Sequence, residues 1–132
     1  MIGAEHVDFV GVPVRDLQRA DDFYGKTLGL KRSPNSGARW VEYDTDNVTL
    51  ALVSPEVMGP DFLENFQPNT VPIAFRVPNV EEARGKLKAV GVQFQVETID
   101  SGVCHIAPFA DPDGNSLMLH RRYAPYADGS MP

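Results

Sequence analysis

Residues 7–30, VDFVGVPVRDLQRADDFYGKTLGL, and residues 70–92, TVPIAFRVPNVEEARGKLKAVGV, are two copies of one pattern, and this limits the fold to an architecture built from two similar modules. Phe9 falls on Pro72, Val14 on Val77, Asp16 on Asn79 and Ala20 on Ala83; a one-residue gap then brings Gly29 onto Gly91. Each copy reads as strand, cap, helix and glycine stop.

In the first copy Val7, Phe9 and Val12 to Val14 are strand-like, and Leu17, Ala20, Phe23, Tyr24 and Leu28 recur at helical spacing. Asp16 is a natural N-cap, and Gly29 stands where a helix ends in a left-handed residue. In the second copy Asn79 with Glu82 makes a variant capping box, and Glu81 and Glu82 lie where the helix dipole favours negative charge. Strand signals follow each helix: RWVEYD and VTLALVS in the first half, VQFQVET, VCHIAPF and SLMLHRR in the second. The expected fold is therefore α+β, two β-α-β-β-β modules at about 7–58 and 71–122. A Pro-rich connection at 54–70 joins them, and a loose tail occupies 123–132.

With 132 residues, 42% of them hydrophobic, the chain suits a single domain. Eighteen acidic against twelve basic side chains give a net charge of -6, which disfavours nucleic acid and anionic membrane as partners and leaves small molecules. The excess lies in residues 1–66, which carry 11 acids and 6 bases. One cysteine, Cys104, excludes an intrachain disulfide; no apolar run is long enough to span a membrane, and the N-terminus has no basic leader. A cytoplasmic location is the default expectation.

VPVRDLQRADDFYGKTLGL near the start and FADPDGNSLMLH near the end, in this order and separation, resemble the vicinal oxygen chelate superfamily over about residues 7–122. That superfamily includes glyoxalase I, bleomycin-binding resistance proteins, fosfomycin resistance enzymes and extradiol dioxygenases. The resemblance implies that the two modules form a cup-shaped half-barrel, that the protein is a homodimer, and that a metal, where present, is held at positions corresponding here to Phe9, Ala51, Pro72 and Met118. Divalent metal centres need imidazole, carboxylate or thiolate donors, and these four side chains supply none. A metal-free member with no cofactor is expected.

Other metal readings also fail. His6, His105 and His120 are scattered, and in DPDGN the twelfth position of a calcium loop would be Arg122. DPDG reads instead as a turn, with Pro112 fixing φ and Gly114 supplying a positive φ. Cys104 and His105, adjacent in a strand, point to opposite faces. No phosphate-loop, dinucleotide or nucleophile-elbow pattern is present.

Strand alternation extends the pocket face from the four positions to Gly11, Thr49, Val53, Ala74, Arg76, Ser116 and His120. For the middle strands the likeness to fosfomycin resistance enzymes implies Trp40 and Glu42 in the first module, Cys104 and Ile106 in the second. The expected ligand-binding set is thus Phe9, Trp40, Glu42, Thr49, Ala51, Pro72, Arg76, Cys104, Ile106, Met118 and His120. An apolar site with a few placed polar groups suits a small molecule. Two function classes follow: a protein that sequesters a drug or metabolite, resembling the bleomycin resistance proteins; or a metal-independent isomerase, cyclase or lyase. The second would use Glu42 or His120 as general base and Arg76 to stabilise an oxyanion. Glyoxalase or dioxygenase chemistry, which needs the metal, ranks last.

Overall fold

A computed structural model describes residues 1–132. Its elements follow the repeat. The first module runs β1 (Phe9–Pro13), α1 (Leu17–Asp21), a π-helical turn (Asp22–Thr27), β2 (Lys31–Arg32), β3 (Val41–Asp44) and β4 (Thr49–Val53). The second runs β5 (Ile73–Arg76), α3 (Val80–Ala89), β6 (Ile99–Asp100), β7 (Cys104–Ala110) and β8 (Ser116–Arg122), with the short α2 (Pro55–Met58) between them. Sheet 1 has the strand order β1-β4-β3-β2 and sheet 2 the order β5-β8-β7-β6, each with one parallel pair, as the α+β repeat requires.

The register agrees with the sequence repeat to the residue. Gly11 pairs with Ala51, and its equivalent Ala74 pairs with Met118. Val14 N–H donates to the Val53 carbonyl at 2.8 Å, and Val77 N–H to the His120 carbonyl at 3.1 Å. The caps also correspond: Asp16 accepts from Arg19 N–H and Asn79 from Glu82 N–H, both at 2.9 Å. Gly29 and Gly91, at φ +73° and +96°, stop the two helices.

The one-residue gap in the repeat has a structural meaning. The first helix switches after Asp21 to π geometry, in which Leu28 N–H bonds the carbonyl of Phe23 five residues back. A π turn takes up the extra residue while leaving both helix ends in matching places.

Two compact units are present. Unit 1 comprises Met1–Asn69 and the turn Pro112–Asn115, and unit 2 comprises Thr70–Asp111 and Ser116–Pro132. In unit 1 one face of sheet 1 buries Val12, Val14, Val41, Tyr43, Leu50 and Leu52 against Leu17, Ala20 and Tyr24. In unit 2 Ala107, Phe109, Leu117 and Leu119 do the same against Val80 and Leu87. Opposite these buried residues lies the open face of each sheet. No helix is long and apolar enough to cross a membrane.

Three local expectations are corrected. The first strand starts at Phe9, leaving Val7 exposed. VQFQVET is not a strand; only Ile99–Asp100 pairs with β7. The cause is Arg84, whose buried guanidinium donates to Val96 O and Thr98 Oγ1 at 2.9 Å each and lies 5.0 Å from the Phe94 ring. The Arg84 guanidinium thus takes one backbone acceptor, Val96 O, that a ladder would use. The connection 54–70 contains α2 and a 3-10 turn (Pro60–Phe62), and Phe66 packs under the Arg15 guanidinium at 3.9 Å. The tail is tied down as well: Tyr123 and Ala124 N–H donate to Val103 O, and Arg122 donates to the carbonyls of Ala124 and Pro125.

The DPDGN turn holds Gly114 at φ +87° with only Pro68 atoms at 3.9 Å near a would-be Cβ. Gly114→Ala should therefore cost about 1 kcal/mol from backbone strain alone, without a clash. A thermal melt showing a loss of a few degrees checks this.

Candidate functional site

Cross-strand partners share a face, so the pairings settle which side chains stand together. In sheet 1, Glu42 pairs with Ala51, Asp44 with Thr49, and Phe9 with Thr49 across the other edge of β4. Phe9, Gly11, Glu42, Thr49 and Ala51 thus line the open face of sheet 1. Trp40 joins them: its ring meets Phe9 edge-on at 5.3 Å, and its indole N–H donates to Glu42 Oε2 at 3.0 Å. Ser33 Oγ donates to the other carboxylate oxygen, Oε1, at 3.2 Å. Each oxygen of Glu42 therefore has a donor, and the carboxylate is fixed in direction. Phe9 remains 47% exposed, so the aromatic pair has a free surface, while Ala51 is fully buried.

In sheet 2 the pairs Ala74–Met118, Arg76–His120, Ile106–His120 and Cys104–Arg122 put Arg76, Cys104, Ile106, Met118 and His120 on the open face. Pro72 sits just before β5, half-buried, where a residue without N–H does not interrupt the ladder. Arg76 is exposed, and neither it nor His120 makes a side-chain hydrogen bond or ion pair.

Cys104 and His105 diverge as strand geometry demands. The thiol lies 3.0 Å from Ser101 Oγ, while His105 stacks on Tyr123 at 4.9 Å and reaches Asp100 at 3.5 Å. The Asp100 carboxyl is held below its usual range, first by Gly102 N–H and then by the Tyr123 hydroxyl. His105 and Asp100 lie on the helix side of sheet 2, and Cys104 on the open face.

The four positions that the family resemblance implies for metal ligands, Phe9, Ala51, Pro72 and Met118, offer a phenyl ring, a methyl group, a pyrrolidine and a thioether. A hard divalent ion finds no donor among them. No three His, Cys, Asp or Glu side chains elsewhere are grouped so that they could hold one.

Sequence reasoning missed two features. A cleft of about 420 Å³ lies in unit 1 among Leu17, Asp21, Arg32, Val41 and Glu56, and no predicted site residue lines it. Nothing in the hydrophobic pattern marks it, because it is bounded by a loop and side chains far apart in sequence. The second is Ser33, buried beside Glu42. A serine ahead of the turn PNSGA reads only as loop.

The chain matches the sequence model of the Glyoxalase/Bleomycin resistance protein/Dioxygenase superfamily over residues 6–119. None of the curated proteins compared with the chain matches it. Among solved structures it is similar to TnmS3, an antibiotic binding protein from Streptomyces sp. CB03234, at 25% identity and TM-score 0.71, covering 92% of this chain and 99% of that one. It also resembles a superfamily member from Sphaerobacter thermophilus (24% identity, TM-score 0.71, 89% and 97% covered). A third likeness is to lactoylglutathione lyase from Agrobacterium tumefaciens (16%, TM-score 0.68, 89% and 93% covered), which shows the fold alone. The internal repeat, the matched registers of its two sheets and the family match together make this chain a member of the Glyoxalase/Bleomycin resistance protein/Dioxygenase superfamily.

Proposed function

We propose that this protein binds a small organic molecule, a drug or a metabolite, on its open sheet faces without using a metal, and acts by sequestering it. The observation that carries the reading is the open face of sheet 1, where Phe9 and Trp40 stand edge to face beside a carboxylate fixed by Trp40 and Ser33. Aromatic surface with one oriented polar group is the chemistry of a small-molecule site. The likeness to an antibiotic binding protein supports it. So do the four ligand positions, which lack donors for the metal that glyoxalase or dioxygenase chemistry would require. The residues proposed for contact are Phe9, Trp40, Glu42, Thr49 and Ala51 from unit 1, and Pro72, Arg76, Cys104, Ile106, Met118 and His120 from unit 2. A homodimer and a cytoplasmic location belong to the same proposal, the first from family resemblance.

A thermal-shift screen of antibiotics and aromatic metabolites tests it. A true ligand at one hundred times its Kd should stabilise the fold by about 2.7 kcal/mol, a shift of several degrees. Trp40→Ala should remove most of that shift, and the compound should be recovered unchanged. Recovery of a product, with its formation lost in Glu42→Gln or His120→Ala, would replace sequestration by metal-independent catalysis. Absence of any hit among aromatic compounds would remove the reading.

A further inference from the structure

The repeat makes the two open faces equal in backbone, so their differences in side chain can be read position by position. Ala51 corresponds to Met118, hence Glu42, paired with Ala51, corresponds to Pro108, paired with Met118. Asp44 likewise corresponds to Ala110, since their partners are Thr49 and Ser116. On the outer pair the exchange runs the other way: Pro13 and Val53 in sheet 1 become Arg76 and His120 in sheet 2. Where sheet 1 has acids, sheet 2 has uncharged side chains; where sheet 2 has basic groups, sheet 1 has apolar ones.

The surroundings do not cancel this inversion. On sheet 1 the one basic side chain of the open face is the exposed Lys31, opposite Asp44 at the edge strand, and Glu42 makes no ion pair. On sheet 2 no strand residue of the open face is acidic: Asp100 pairs with His105 and so lies on the helix side. Arg122 adds a further cation there, though its guanidinium is engaged by tail carbonyls.

We infer that the two open faces select opposite charges: the Phe9–Trp40–Glu42 face takes a cationic group on an aromatic frame, and the Arg76–His120 face takes an anionic group. This rests on the small-molecule reading above and adds the chemical class that each face accepts. On the first face an ammonium or ring cation meets both the fixed carboxylate and the negative faces of the aromatic rings. On the second face a carboxylate, sulfonate or phosphate meets a guanidinium that has no protein partner.

Two probe pairs, each differing by one charge on one frame, test this at pH 8. N-methylacridinium is compared with acridine by quenching of Trp40, the single tryptophan. The anion 2-naphthoate is compared with 2-naphthamide by calorimetry. The expected result is a preference of about tenfold for the cation in the first pair and about tenfold for the anion in the second. Glu42→Gln, which keeps the hydrogen-bonding shape, should abolish only the first preference, and Arg76→Gln only the second. Circular dichroism melts establish that both variants remain folded. Binding of the neutral probes without any charge preference overturns the inference while leaving the small-molecule reading standing. Loss of both preferences in either variant also overturns it, since that would reflect the overall field and not two faces. Failure of all four probes to bind removes the small-molecule reading itself, and the inference with it.

Discussion

Asn115→Ala should lower the thermal midpoint by about 10 °C, the largest loss expected from one substitution outside the apolar core. Asn115 is 1% exposed; its amide N–H donates to Pro13 O at 2.7 Å and its amide oxygen accepts from Asn69 N–H at 2.8 Å. Truncation leaves both backbone groups without this partner. Each buried group so orphaned costs about 1–3 kcal/mol, so the pair costs about 3 kcal/mol, and for a chain of this size that is a shift on the order of 10 °C. Asn115→Asp should be destabilised at neutral pH at least as much as Ala, because it buries a charge and sets a carboxylate oxygen against the Pro13 carbonyl. A loss under 2 °C for Ala would mean that water replaces the amide, and that this turn does not hold β1 and the connecting segment in place.

The same turn shows how far the sequence could be read. DPDG reads as a turn, and Gly114 does carry the required positive φ. What the local pattern cannot show is that Asp113 becomes buried and accepts from Arg19 at 2.6 Å and Arg15 at 3.2 Å, residues almost a hundred positions earlier. Long-range polar pairing leaves no periodic trace. The repeat, by contrast, is a global constraint: it placed the caps Asp16 and Asn79 and the stops Gly29 and Gly91. It could not fix the parity of the middle strands, where family resemblance alone suggested Glu42, Cys104 and Ile106; in the structure these pair with Ala51, Arg122 and His120. VQFQVET failed because alternation measures which residues face inward, and Arg84 supplies that segment's partners without a strand.

Glu42 illustrates the difference between a face and a site. Its facing was implied only by family resemblance, and its surroundings depend on Ser33 and Trp40, which converge only through the turn at 33–40. With a donor on each oxygen, Glu42 is better built to hold a charge in place than to reorient and accept a proton. That is why charge selection, and not base catalysis, is the property tested on it first.

Alkaline solution should expose a second large effect, centred on Tyr43. This phenol is fully buried on the helix side of sheet 1 and donates to Asp21 Oδ1 at 2.5 Å. Burial first, then the Asp21 hydrogen bond and charge, push its pKa far above the ordinary value of 10.0. Above about pH 10 the unfolded chain releases this proton while the folded chain keeps it, so the unfolded state binds fewer protons and stability falls as pH rises. The slope from this one group is about 1.4 kcal/mol per pH unit, and the stabilisation is complete only below pH 10. Tyr43→Phe removes the group from both states. At pH 7 the variant should be less stable by about 1 kcal/mol for the lost hydrogen bond. Its stability should decline with one proton's less slope above pH 10, so the two curves converge and cross near pH 11. Urea unfolding of both proteins between pH 7 and 11.5 reads this directly. Parallel curves would show that the Tyr43 phenol ionises in the folded protein as readily as in the unfolded chain, and that Asp21 does not hold its proton.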